Sequence, residues 1–227
     1  TGSNCTEHAV KLSREAEKLG ADALLQVTPY YNKASQEGLV RHFTQVADHV
    51  SIPILLYNVP SRTGVTIQPE TYRILSEHPN IRGTKEASGN LSLIARTAAL
   101  CGQGFDIYSG NDDQTVPIMS LGGKGVVSVL ANIMPKETHK MCRLYLDGDV
   151  KESRRMQLQL LEIMEALFWD VNPIPVKTAL GLMGVCGDDL RLPLTPMEPE
   201  QRERLAEVMK RQGISLKKEL HNQTNLL

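Results

Sequence analysis

One lysine closes an apolar stretch, in Gly83-Thr84-Lys85-Glu86-Ala87-Ser88-Gly89. A lysine at the end of a buried strand meets desolvation, which disfavours the ammonium and lowers the amine's pKa. A neutral amine adds to carbonyl carbons and gives a Schiff base. The competing structural reading is a lysine whose stem lies along the strand while its head snorkels to water. Three further groups stand in similar places, just after apolar runs. Tyr57 opens Tyr57-Asn58-Val59-Pro60-Ser61-Arg62-Thr63-Gly64, and a buried phenol near a lysine can pass protons as general acid and base. Tyr31, in Thr28-Pro29-Tyr30-Tyr31-Asn32, can extend such a relay. Arg62 offers a planar fork for a substrate carboxylate. Each has a plainer alternative: rim tyrosines with satisfied hydroxyls, and a solvated loop arginine. Glu86 discloses no role by its type and place.

The elements that must position these groups follow from periodicity. Helical spacing of apolar residues over 6–19 ends at Gly20, and a short apolar run over 21–27 stops at Thr28-Pro29. The same alternation predicts helices over 37–50, 69–76, 90–101 and 112–121, and strands over 53–57, 81–85, 105–109 and 125–130. Strands and helices alternating at this pace imply βαβ units and a parallel sheet, hence the α/β class. Ligands of such folds bind at the carboxyl ends of the strands, where the polar motifs fall. Periodicity alone leaves open whether the sheet is doubly wound or part of a barrel. Past residue 135 the pattern is wholly helical, over 136–146, 150–168, 175–183 and 198–212, with a Leu/Met stripe (Met156, Leu160, Ile163, Met164, Leu167) that reads as packing. The sequence therefore divides into an α/β part, 1–134, with about five strands, and a helical part, 135–227. Residues after Gly213 are polar and expected to lack regular structure.

Composition narrows the function. The 227 residues are 41% hydrophobic and 22% charged, with 25 basic against 26 acidic side chains, a net charge of -1. That balance offers no footprint for nucleic acid or an anionic membrane, which leaves small-molecule chemistry. Cys5, Cys101, Cys142 and Cys186 are scattered, with no C-x-x-C or Cys/His cluster, so they read as free thiols of a reducing, cytoplasmic compartment and no metal site is expected. No Gly-x-Gly-x-x-Gly follows a strand, so a dinucleotide site is unsupported.

Taken together, the Tyr30-Tyr31, Tyr57–Gly64 and Lys85 motifs, with Asn172-Pro173-Ile174-Pro175-Val176-Lys177, resemble in order and spacing the dihydrodipicolinate synthase family of pyruvate-dependent class I aldolases. The resemblance implies a (β/α)8 TIM barrel with a C-terminal helical domain. It implies condensation of pyruvate with aspartate semialdehyde on the way to diaminopimelate and lysine. In that reading Lys85 forms the imine, Tyr57 exchanges the proton, and Tyr31 reaches across a dimer contact to relay it. Arg62 takes the semialdehyde's carboxylate, while Gly110 and Val127 line the pocket through their backbones. The imine itself is the electron sink, so no metal or organic cofactor is implied. The implied assembly is a homo-oligomer, a dimer of dimers.

Two departures qualify the resemblance. The family's barrel has strands before the point where this sequence starts, so the chain reads as a truncated barrel whose own activity is expected to be low. The family's allosteric lysine site maps to Asn4, Tyr30 and His8, but His8 stands where an acidic group would hold the lysine amine. A neutral imidazole is a weaker counter-charge, so feedback by lysine is expected to be slight; otherwise His8 is a plain surface helix residue. Two alternatives remain: a sister pyruvate aldolase such as a sugar-acid lyase, and a non-catalytic truncated homologue. The Val-Pro-Ser-Arg run ending at Arg62 favours the synthase over the sugar lyases.

Overall fold

The computed structural model describes residues 1–217. Two compact units divide it, the first over residues 1–128 and the second beginning at Val129. The division falls before the 134 drawn from the sequence, because the chain leaves the sheet early. The fifth strand spans only Gly125–Val126, and the apolar residues expected to prolong it to 130 instead enter a 3-10 turn, Leu130–Asn132.

In the first unit, helix α1 (Thr6–Lys18), strand β1 (Leu24–Val27), α2 (Gln36–Ala47), β2 (Ile54–Asn58), α3 (Pro60–Thr63), α4 (Pro69–Ser76), β3 (Ile81–Glu86), α5 (Leu91–Cys101), β4 (Asp106–Ser109), α6 (Thr115–Ser120) and β5 (Gly125–Val126) follow in order. Local chemistry sets many of the boundaries. Ser35 and Asn90 cap α2 and α5 by accepting the Gly38 and Leu93 N–H groups. Proline opens α3 and α4, where its missing N–H costs nothing. Gly64 ends α3 at φ 74°, a left-handed cap that a side chain would strain. What the sequence shows as a single helix over 112–121 is a 3-10 turn, Asp112–Gln114, leading into α6.

The five strands pair in parallel in the order β1-β2-β3-β4-β5. Each strand lies beside its successor in sequence, with no switch point, which is the winding of a (β/α) barrel and not of a doubly wound sheet. Residues facing the helices are fully enclosed: Leu39, Phe43, Ile54, Leu56, Ile67, Tyr72, Leu75, Ile81, Ile94 and Ile118 form one core cluster. The opposite face is only half-buried, with Leu25 37% exposed. Gly83 is required by proximity: a Cβ there would lie 2.2 Å from the Asp106 carbonyl oxygen on the neighbouring strand.

The second unit is helical among its described residues: α7 (Pro135–Leu146), α8 (Val150–Gln159), α9 (Leu161–Ala166), α10 (Ile174–Met183) and α11 (Pro199–Arg211). The helix expected over 150–168 breaks at Leu160, where φ is -89° and ψ -1°. The apolar stripe runs on through the bend, so periodicity gives no sign of it; α8 packs on α7 while α9 meets α11. Residues 214–217 carry no helix or strand; the rest of the expected irregular tail lies outside the described residues. Among the described residues no helix is long and apolar enough to cross a membrane.

Substituting Gly83→Ala should force β3 and β4 apart and lower unfolding stability by about 1–3 kcal/mol, read as a lower urea midpoint.

Candidate active site

Strand register assembles the site. Val27, Tyr57, Lys85 and Tyr108 are successive Cα partners across β1 to β4. Side chains alternate along a strand, so these four share the half-buried face. Their neighbours Asn58, Glu86 and Ser109 point to the enclosed face. The strand ends are laced by backbone bonds: the Ala87 N–H to the Asn58 carbonyl at 2.9 Å and the Gly110 N–H to the Glu86 carbonyl at 2.8 Å.

Lys85 Nζ lies over the Tyr57 ring, 4.1 Å from its centroid. Burial lowers the Lys85 amine below its ordinary value; the Asp112 carboxylate pulls it back up, and the Arg62 guanidinium pushes it further down. The ring face favours the ammonium by about 0.5–2 kcal/mol, yet desolvation remains the leading influence. Burial also raises the Tyr57 phenol, against the pull of Arg62. The phenol therefore holds its proton and can lend it, while the amine sheds its proton more readily than a surface lysine. Such an amine can attack a carbonyl.

Other residues singled out from sequence fall around this pair. Gly110 packs on it: a Cβ there would stand 3.2 Å from both Cγ and Cε of Lys85 and 2.7 Å from Ala87 Cβ. Arg62 sits exposed on α3, a helical turn where sequence suggests only a loop, and its charge reaches both Tyr57 and Lys85. Val127 follows β5, is 39% exposed, and donates its N–H to the Ser109 carbonyl at 2.8 Å. Tyr31 does not join the pair within this chain; it is 88% exposed. Its loop is held at the base: the Asn4 side chain donates to the Tyr30 carbonyl at 3.3 Å, and the Asn32 side chain to the Asn4 carbonyl at 3.1 Å. Asn4 and Tyr30 thus meet, and His8 is exposed one helical turn away, its Nδ1 3.4 Å from the Ser3 hydroxyl. The Asn172–Lys177 motif lies in the second unit, where Lys177 donates to the Asp189 carbonyl at 2.6 Å.

Two acidic residues matter more than their positions in the sequence suggest. Asp112, 2% exposed, receives the Ser128 hydroxyl, and its charge favours the Lys85 ammonium. Glu86, 1% exposed, is held among Asn58, Tyr72 and the Ser88 N–H. The available signal was strand alternation: a carboxylate next to an outward-facing Lys85 must face the helices. Among the described residues no three His, Cys, Asp or Glu side chains gather as a metal group.

Comparison with known proteins identifies the family. Residues 1–212 match the dihydrodipicolinate synthetase family. A 4-hydroxy-tetrahydrodipicolinate synthase of Caldicellulosiruptor bescii is 55% identical over 216 residues, covering 95% of this chain and 73% of the relative. One from Geobacter metallireducens is 53% identical over 210 residues, 92% of this chain and 72% of the relative. Among solved structures, the dihydrodipicolinate synthase of Aquifex aeolicus superposes with a TM-score of 0.93 at 44% identity, over 96% of this chain and 74% of that one.

Gly110→Ala should displace the Lys85 stem and slow its reductive methylation by formaldehyde and cyanoborohydride, about ten- to a hundredfold. Peptide mass spectrometry reads the rate, with the other lysines as internal controls.

Proposed function

The chain belongs to the dihydrodipicolinate synthetase family, and we propose that its Lys85 site condenses pyruvate with aspartate semialdehyde through a Schiff base. It is a lyase of lysine biosynthesis, forming 4-hydroxy-tetrahydrodipicolinate, and its substrates are small molecules. The observation that supports the residue assignment is the half-buried Lys85 amine set over Tyr57 at the carboxyl edge of a sequentially wound parallel sheet. In this reading the neutral amine adds to the C2 carbonyl of pyruvate and water leaves, with Tyr57 giving and taking the proton. The cationic imine then draws electrons from the methyl C–H bond, and the enamine attacks the aldehyde carbon of the second substrate. That substrate's own amine next adds to the imine carbon, closing the ring and releasing Lys85. Arg62, exposed on α3, receives the semialdehyde's carboxylate as a bidentate pair. The backbones of Gly110 and Val127 border the bound pyruvate. The imine supplies the electron sink, so the reaction calls for no metal or organic cofactor.

Tyr31 supports a homo-oligomeric reading in which two copies pair; the dimer of dimers rests on the family resemblance. It holds φ at 74°, a left-handed conformation costing a non-glycine residue about 1–3 kcal/mol, and it projects into solvent from a pinned loop. A tyrosine so displayed suits delivery to a second copy's site, where it relays protons to Tyr57. The four cysteines, all free, accord with a cytoplasmic enzyme. At the position beside Asn4 and Tyr30 where a carboxylate would meet the amine of bound lysine, His8 supplies an imidazole and no negative charge, so feedback is slight.

Incubation with pyruvate followed by borohydride should add one reduced pyruvate on Lys85, located by peptide mass spectrometry. A folded sample that gains no adduct, or gains it on another lysine, overturns the assignment. Because burial holds the amine down, the reactive neutral form accumulates as pH rises. Imine formation should therefore reach half its plateau below lysine's ordinary 10.5. Arg62→Ala should lower kcat/KM for the semialdehyde by about ten- to a hundredfold, the worth of one charged hydrogen-bonded contact. The same variant should move the Lys85 midpoint upward, since a neighbouring cation has been removed.

A further inference from the structure

Directly behind the reactive pair lies a second, fully enclosed pair that the chemistry above does not use. Asn58 and Glu86 are Cα partners on β2 and β3, one step beyond Tyr57 and Lys85, and they face the helices. The Glu86 carboxylate meets only donors. Asn58 Nδ2 stands 3.2 Å from Oε1 and 3.1 Å from Oε2. The Tyr72 hydroxyl donates to Oε2 at 2.9 Å, and the Ser88 N–H to Oε1 at 2.8 Å. That set suits an ionised carboxylate. Asn58 cannot turn over, because its Oδ1 accepts the Ile67 N–H at 3.1 Å. Tyr72 cannot readily ionise, since its burial and the Glu86 charge both raise its phenol well above the ordinary value. The Thr84 hydroxyl, 3.1 Å from that of Tyr72 and 3.2 Å from the Leu56 carbonyl, completes the cluster.

We propose that Glu86 is a positioning residue: its carboxylate, held by Asn58 and Tyr72, sets the aim of Lys85 and Tyr57 on the opposite face. Its side chain joins the end of β2, helix α4 and the turn after β3. Its own carbonyl holds Gly110, the glycine against which the Lys85 stem packs. A shift of the Glu86 backbone therefore moves the floor under the amine as well as the strand that carries it. A buried carboxylate is a costly way merely to join two strands, and removing its partners leaves charge stranded. The proposal rests on Lys85 as the nucleophile and goes beyond it by assigning the residues that hold it in place.

The test compares wild type with Glu86→Gln, Asn58→Asp/Glu86→Gln and Tyr72→Phe, by two readouts on Lys85. One is the rate of borohydride-trapped pyruvate. The other, which needs no substrate, is the pH profile of Lys85 acetylation, followed by peptide mass spectrometry. In Glu86→Gln an amide NH2 faces that of Asn58, and trapping should slow about ten- to a hundredfold, the effect of a displacement near 1 Å. The acetylation midpoint should move toward that of an ordinary lysine as the amine leaves its place among Tyr57, Arg62 and Asp112. The double variant restores a donor opposite an acceptor, keeps an acceptor for the Ile67 N–H, and should recover much of both. A folded Glu86→Gln protein with wild-type rate and profile overturns the proposal. If Glu86→Gln does not fold, Tyr72→Phe decides: it keeps the charge and removes one donor, and unchanged values for both readouts overturn the idea. If wild type traps no pyruvate, the Schiff-base reading falls alone, and the acetylation profiles still judge the positioning role.

Discussion

The pairing of β2 with β3 is the constraint on which the carboxyl edge of the sheet depends. Its register sets Tyr57 against Lys85 and Asn58 against Glu86. Since side chains alternate, a slip of one residue would turn the lysine into the helix layer and the glutamate into the open face. The first exchange carries the heavier energetic cost. At the place of the Glu86 carboxylate the enclosed face presents the Asn58 amide N–H, the Tyr72 hydroxyl and a backbone N–H, and a buried ammonium set against that group of donors would carry an uncompensated charge. The reactive geometry and the buried hydrogen bonds are thus two sides of one register, and neither can change alone.

The same pairing explains the glycines that flank the site. Gly83 lets β4 approach β3 closely, with the Asp106 carbonyl where a Cβ would be. Gly110 gives the lysine stem its bed. A larger residue at Gly83 would act on Lys85 through the backbone, whereas one at Gly110 would press on the lysine stem itself. Arg62 is positioned differently. It rides on a single helical turn fixed by Pro60 at its start, a Thr63 hydroxyl bonded to the Val59 carbonyl at 3.2 Å, and Gly64 at its end.

Much of this was legible in the residues, and what was missed has common causes. Apolar periodicity located the sheet strands and their helices because burial against one face imposes a period. It could not choose between barrel and doubly wound sheet, since both bury the same faces; only the sequential strand order decides. The bend at Leu160 and the early end of β5 escaped because buried apolar residues serve equally well on either side of a turn. The motifs carrying Lys85, Tyr57 and Arg62 stood out through their residue types. Glu86 and Tyr72 did not, since their meaning lies in contacts between β3 and α4 that no local pattern records. Tyr31 was legible as a residue of interest, but its exposure and left-handed backbone were not.

Depth alone does not tune the Lys85 amine. Burial pushes it toward neutrality, Arg62 adds to that push, and the buried Asp112 opposes both. Two unit charges about 4 Å apart interact by about 4 kcal/mol where the effective dielectric is near 20, and by far less in open water. Arg62 is exposed and its influence is screened, whereas Asp112 is enclosed and acts at fuller strength. For the free amine, Asp112 works against nucleophilicity. In the proposed Schiff-base reading the covalent state reverses the balance, because a protonated imine must keep its charge in order to draw electrons from the adjoining carbon. A site built only to deprotonate lysine would do without the carboxylate; a site that must also carry a cation through the next step has reason to keep it. Burial lowers the Lys85 amine while the Asp112 carboxylate opposes that lowering, which is the balance such a compromise requires.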